Sequence, residues 1–111
     1  MTEDIALMTA SRLVKLYRGG ELSPVEATRA ALARIERYNG KLNAFNLVAA
    51  DAALAAAAES EERWRIGAPR GPLDGVPVSI KDVLLTRGWP TLRGSRSVKR
   101  DGRGVFFPGL V

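Results

Sequence analysis

The 111-residue sequence contains no cysteine and no histidine. The first absence excludes a disulfide framework and thiol catalysis. The second removes the commonest general base and the commonest neutral metal ligand. Acid–base chemistry here must draw on Lys, Asp, Glu or Tyr. Aromatic residues are scarce, at 6%, and much of the 46% apolar content is alanine, which buries little area per residue. The core is expected to be marginal unless something else completes it. No apolar run approaches the roughly 20 residues that span a bilayer. Residues 1–8 carry Glu3 and Asp4 with no basic region, unlike a secretory signal. The default expectation is a cytoplasmic location without membrane association. With no Cys/His cluster, no G-x-G-x-x-G and no P-loop spacing, no metal, nucleotide or other cofactor is expected.

The net charge of +5 is unevenly placed. Residues 1–70 hold ten Lys/Arg against nine Asp/Glu, and residues 71–111 hold seven against three. Arg93, Arg96, Lys99, Arg100 and Arg103 form a loose basic cluster that could meet phosphates. No aromatic residues interleave with these charges and no groove-reading motif accompanies them, so a solvated basic tail is the better reading and nucleic acid is not the expected partner.

Three helices are predicted. Thr9 can cap a short one through Ala10, Leu13, Val14 and Tyr17, ended by Gly19-Gly20. Ser23-Pro24-Val25-Glu26 is a stronger start: an N-cap serine, proline at the first helical position and glutamate at the third. Val25, Leu32, Ile35 and Tyr38 then share a stripe, and Gly40 is expected to close the helix. Leu42 to Val48 reads as a short extended segment. The stretch DAALAAAAESEERWR has high helix propensity almost regardless of pattern, and Gly67-Ala68-Pro69-Arg70-Gly71-Pro72 stops it.

The period then changes. Gly75-Val76-Pro77-Val78-Ser79-Ile80 alternates β-branched residues as a buried strand would, Val83-Leu84-Leu85 continues the apolar character, and Gly88-Trp89-Pro90 marks a turn. Lys81 stands where this apolar stretch gives way to a polar end. A lysine at such a boundary can lose part of its charge preference through desolvation, and a neutral amine is a usable general base near pH 7. Asp82 would oppose that shift, but strand alternation points the two side chains to opposite faces. Taken residue by residue, the ordinary reading is a solvated strand end for Lys81 and a hydrogen-bonded strand residue for Ser79.

Three blocks in order alter that weighting. GPLDGVPVSIKD closely resembles the amidase-signature motif G-P-L-x-G-(V/I)-P-(V/I)-x-(V/I)-K-D. TRGWPTLRGS resembles that family's downstream T-x-G-x-x-T-x-G-S, and ELSPVEATRAALARIERYNGKLNAF its N-terminal helices. The resemblance runs from about Ala10 to about Val98. It implies an α/β fold in which a helical N-terminal region leads into the first strands of a mixed sheet, incomplete in this chain. It also implies amide hydrolysis by a Ser–Ser–Lys triad, with Lys81 as the catalytic lysine and a small-molecule amide as substrate. The two serines of such a triad belong to a Gly/Ser-rich loop of the type G-G-S-S-G-G. The serines here, Ser11, Ser23, Ser60, Ser79, Ser95 and Ser97, form no glycine-flanked tandem. The chain alone is therefore expected to be inactive.

The expected organisation is an amidase-signature portion over 1–98 and a divergent basic and apolar tail over 99–111. Gly102, Gly104, Pro108 and Gly109 argue against helix in that tail, and a truncated or shifted reading frame near residue 101 would account for it. Three alternatives remain at this level: the A subunit of a tRNA-dependent amidotransferase, which shares the motif; a small basic binding module; and an interaction fragment that keeps its helices for docking. The wording GWPTLRGS looks more like stand-alone bacterial amidases.

Overall fold

A computed structural model describes residues 4–42, 44, 45 and 47–80. Lys81, Asp82, the segment 83–90 and the basic cluster of residues 93–103 lie outside the described residues, as does the boundary expected at 98/99. Residues up to Pro77 belong to one compact unit; Val78, Ser79 and Ile80 belong to a second.

The first unit opens with a single 3-10 turn, Ile5–Leu7, capped by Asp4, whose carboxylate accepts from the Ala6 N–H at 3.0 Å. Helix α1, Ala10–Arg18, starts as expected at Thr9, whose hydroxyl accepts from the Arg12 N–H at 3.1 Å. It stops at Gly19-Gly20. Gly20 takes φ +73, and the N–H groups of Gly20 and Glu21 return to the carbonyls of Tyr17 and Leu16. That left-handed closure is open to glycine at little steric cost.

Helix α2, Pro24–Leu42, begins at Ser23, whose hydroxyl accepts from the Glu26 N–H at 3.1 Å and donates to the Glu26 carboxylate at 3.4 Å. Such a cap contributes about 1 kcal/mol. The expected stop at Gly40 is a correction. The helix runs through it to Leu42, because Gly40 does not adopt the positive φ that ends α1, and a mid-helix glycine costs only about 1 kcal/mol. Leu42 is thus helical, not extended. Past it, Asn39 holds the chain: its side-chain oxygen accepts from the Phe45 N–H at 2.8 Å and its amide donates to the Phe45 carbonyl at 3.1 Å. Tyr38 is also not buried on a stripe, and lies with the guanidinium groups of Arg34 and Arg37 5.3 and 5.2 Å from its ring centre.

Helix α3, Ala50–Arg65, has no side-chain cap at Ala49 and depends on alanine propensity, with Asp51 in its first turn and Arg63 and Arg65 in its last. It closes with the same pair of bonds as α1, from Gly67 and Ala68 to Trp64 and Arg63.

The core gathers Leu13, Val14, Leu16, Tyr17, Leu22 and Ala27, with Ile5, Met8, Trp64 and Val76 packed against it. Among the described residues there is no strand. The expected buried strand over 75–80 is corrected: Gly75 lies in a turn, and Val78, Ser79 and Ile80 belong to no strand and are exposed, Val78 at 82%. An apolar run becomes a buried strand only when neighbouring strands and a covering layer bury it. The described residues supply neither.

Candidate functional site

The segment 70–76, which carries the first half of the GPLDGVPVSIKD block, is held by its backbone and by one carboxylate. The N–H groups of Asp74 and Val76 return to the carbonyls of Gly71 and Leu73, so the chain turns tightly twice. Asp74 is aimed back onto α3. Arg63 donates from Nε to Oδ2 at 2.7 Å and from Nη2 to Oδ1 at 2.6 Å, a two-pronged ion pair. The Ser60 hydroxyl donates to Oδ1 at 2.8 Å and the Arg70 N–H to Oδ2 at 2.9 Å. The Asp74 side chain is 5% exposed and Arg63 22%. The bonds from Arg63 hold the Asp74 carboxyl far below the usual carboxylate range against the opposing effect of burial, with help from Arg70 and Ser60.

Two backbone carbonyls complete the clamp. Trp64 Nε1 donates to the Asp74 carbonyl at 2.9 Å, and the Tyr17 hydroxyl donates to the Gly75 carbonyl at 2.8 Å. Burial pushes the Tyr17 hydroxyl up to about 12, so it remains a donor through the neutral range. The Tyr17 and Trp64 rings meet edge-inclined, with centres 6.1 Å apart. Gly75 itself has φ +86, and a Cβ there would lie 2.5 Å from Ser60 Oγ and 2.8 Å from Pro24 Cγ. The start of α2, the second half of α3 and the turn therefore converge on a point that only glycine fits.

Among the described residues no buried side-chain nitrogen or oxygen lacks a partner, and no group of acidic residues has the arrangement of a metal site. The hydrogen bonds of the clamp fix the turn that carries the motif. Of the residues singled out from sequence, Ser79 is exposed and Lys81 lies outside the described residues. Asp74, Ser60, Arg63, Trp64 and Tyr17 were not foreseen as a cluster. Asp74 falls on the free position of the G-P-L-x-G motif, and its partners Ser60, Arg63, Trp64 and Arg70 lie four to fourteen residues before it.

Comparison with known proteins bears on the same stretch. A family model described as Amidase matches residues 26–101. The A subunit of the glutamyl-tRNA(Gln) amidotransferase of Chloroflexus aggregans is 46% identical over 96 residues, covering 86% of this chain and 20% of that protein. Its counterpart from Salinispora tropica is 44% identical over 108 residues, covering 97% and 22%. The crystal structure of a bacterial aryl acylamidase of the amidase-signature enzymes superposes with a TM-score of 0.82 at 33% identity, over 93% of this chain and 21% of that one. The chain thus spans about a fifth of the length of these relatives. Among the described residues no helix is long and apolar enough to cross a membrane. By the match over most of its length, the shared helical arrangement and the motif held on the Asp74 clamp, this chain belongs to the amidase-signature family.

Proposed function

We propose that this chain is the lysine-bearing N-terminal portion of a hydrolase that cleaves carbon–nitrogen amide bonds through an acyl-enzyme. The observation that carries the reading is the block GPLDGVPVSIKD, which ends on Lys81-Asp82 inside the family match. In this reading Lys81, as the neutral amine, draws a proton through a bridging serine from a nucleophilic serine. That serine attacks the amide carbonyl, the amine departs with a proton, and water releases the acid. Both serines come from outside these 111 residues, within an α/β body whose first strands follow the clamp.

The chain by itself does not turn over an amide in this reading. Incubation with a serine-directed fluorophosphonate, followed by intact mass and by an anilide hydrolysis assay, tests this. We expect no adduct and no product; a stoichiometric adduct with turnover would overturn it.

A second reading, the A subunit of an amidotransferase, is favoured by one observation: the two curated relatives above carry that name at 44–46% identity, against 33% for the aryl acylamidase. The chain would then work beside further subunits. Restoring Lys81 and its flanks into each type of relative, and asking which retains activity, separates the two.

A further inference from the structure

Lys81 follows Gly75 by six residues and Ala68 by thirteen. The chain is held at both earlier points. At Ala68 the close of α3 holds it, through the bond from the Ala68 N–H to the Arg63 carbonyl. At Gly75 the Tyr17 hydroxyl takes the carbonyl, and a Cβ would strike Ser60 and Pro24. Between them the Asp74 carboxylate is the fastening, with two bonds from Arg63, one from Ser60 and one from the Arg70 N–H. An ion pair withdrawn from solvent often adds little net stability over apolar residues of like volume, but its directional bonds fix a geometry. The geometry fixed here is that of a turn whose Gly75 stands six residues before Lys81. A flexible chain of n residues spreads over about 5–6 Å × √n. A lysine tethered at Gly75 therefore ranges over about 13 Å, and one tethered only at Ala68 over about 20 Å. The concentration of its amine at a fixed point falls as roughly the −3/2 power of tether length, here about threefold.

We propose that Asp74 and Arg63 are positioning residues for Lys81, shortening its free tether from thirteen residues to six. Pro77, the last residue of the first unit, stiffens the start of that tether, because proline fixes its own φ and restricts the residue before it. This role rests on the reading of Lys81 as the base, while the anchoring is measurable without any reaction.

The chain has no cysteine, so Glu61→Cys with Ile80→Cys gives a unique pair for nitroxide labels, both at exposed positions. Pulsed electron resonance on the 111-residue chain reads the spread of distances between them. We expect Arg63→Met/Asp74→Leu, which strands neither charge, to widen that spread, and the further change Tyr17→Phe to bring it to about 1.5 times the parent width. Arg63→Lys keeps a charge against Asp74 but loses the fork, and should fall between parent and double variant. A second pair, Glu36→Cys with Glu59→Cys on α2 and α3, should keep its width throughout. Equal widths in parent and double variant overturn the proposal. So does equal widening of both pairs with helix content retained, which marks a merely structural role. If the double variant loses its helices by circular dichroism, Arg63→Lys carries the comparison, and a width unchanged from the parent overturns the proposal. Activity reads the reaction. In the aryl acylamidase carrying residues 60–82 of this chain at the equivalent positions, Arg63→Met/Asp74→Leu should lower kcat about threefold with KM unchanged. An unchanged kcat overturns the positioning. Turnover that survives Lys81→Met instead sinks the role given to Lys81, and the distances still decide the anchoring.

Discussion

Arg63 grips Asp74 with two parallel hydrogen bonds of 2.7 and 2.6 Å while the carboxylate is almost completely withdrawn from solvent. Removing one partner of such a pair leaves the other charge withdrawn from solvent and unpaired, which is destabilising. Arg63→Ala should therefore lower the urea midpoint sharply. The double variant Arg63→Met/Asp74→Leu should recover much of the loss, because neither charge is then stranded. Equilibrium unfolding followed by Trp fluorescence measures both.

The acid limb of stability should carry the signature of Asp74. Its carboxyl titrates far lower in the folded chain than the roughly 3.9 of an unfolded aspartate. A depressed folded value means the contribution is fully present above about pH 4 and is lost as pH falls below it toward the folded value. Wild type and Asp74→Asn should thus differ most above pH 4 and converge toward pH 2 in denaturation series.

At the alkaline end the sign reverses. Tyr17 is raised to about 12 from an ordinary value near 10, so its contribution is present below pH 10 and disappears between 10 and 12. Tyr17→Phe, which also loses the bond to the Gly75 carbonyl, should be less stable at pH 8. The gap to wild type should narrow as pH rises through that window.

Gly75 and Gly67 offer a controlled comparison. Both have positive φ, at +86 and +74, but an added Cβ meets nothing within 4 Å at Gly67. Gly67→Ala should cost only the backbone term, about 1–2 kcal/mol. Gly75→Ala should add about 1–3 kcal/mol for overlap with Ser60 and Pro24. Thermal midpoints of the two variants measured side by side check the difference.

Asn39→Ala should release the segment after α2 without unfolding the helices. Two exposed hydrogen bonds are lost, on the order of 1 kcal/mol. The expected readout is faster trypsin cleavage after Lys41, with near-unchanged circular dichroism.

Helix starts and the first stop were legible because their signals are local. Thr9 and Ser23 reach N–H groups three residues on, and Gly20 closes the turn it follows. Gly40 misled because glycine permits a left-handed cap without requiring one. The strand expected over 75–80 failed for a different reason: β-branched alternation reports a burial that other segments must provide. The clamp was invisible because Asp74 sits eleven residues from Arg63, fourteen from Ser60, and on a motif position that admits other residues. Lys81 was singled out through resemblance to a family motif, and family membership now stands on the match over 26–101.

The bond from Tyr17 to Gly75 spans 58 positions of sequence, which sets an order of events during synthesis. At roughly 5–20 residues per second, roughly 3 to 12 seconds separate the making of the donor from that of its acceptor. Through that interval the nine residues of α1 are too few to hold a helix alone in water. The nascent chain can latch its first helix only after the turn at Gly75 has left the ribosome, so a stop before that codon would release α1 without the group that fastens it.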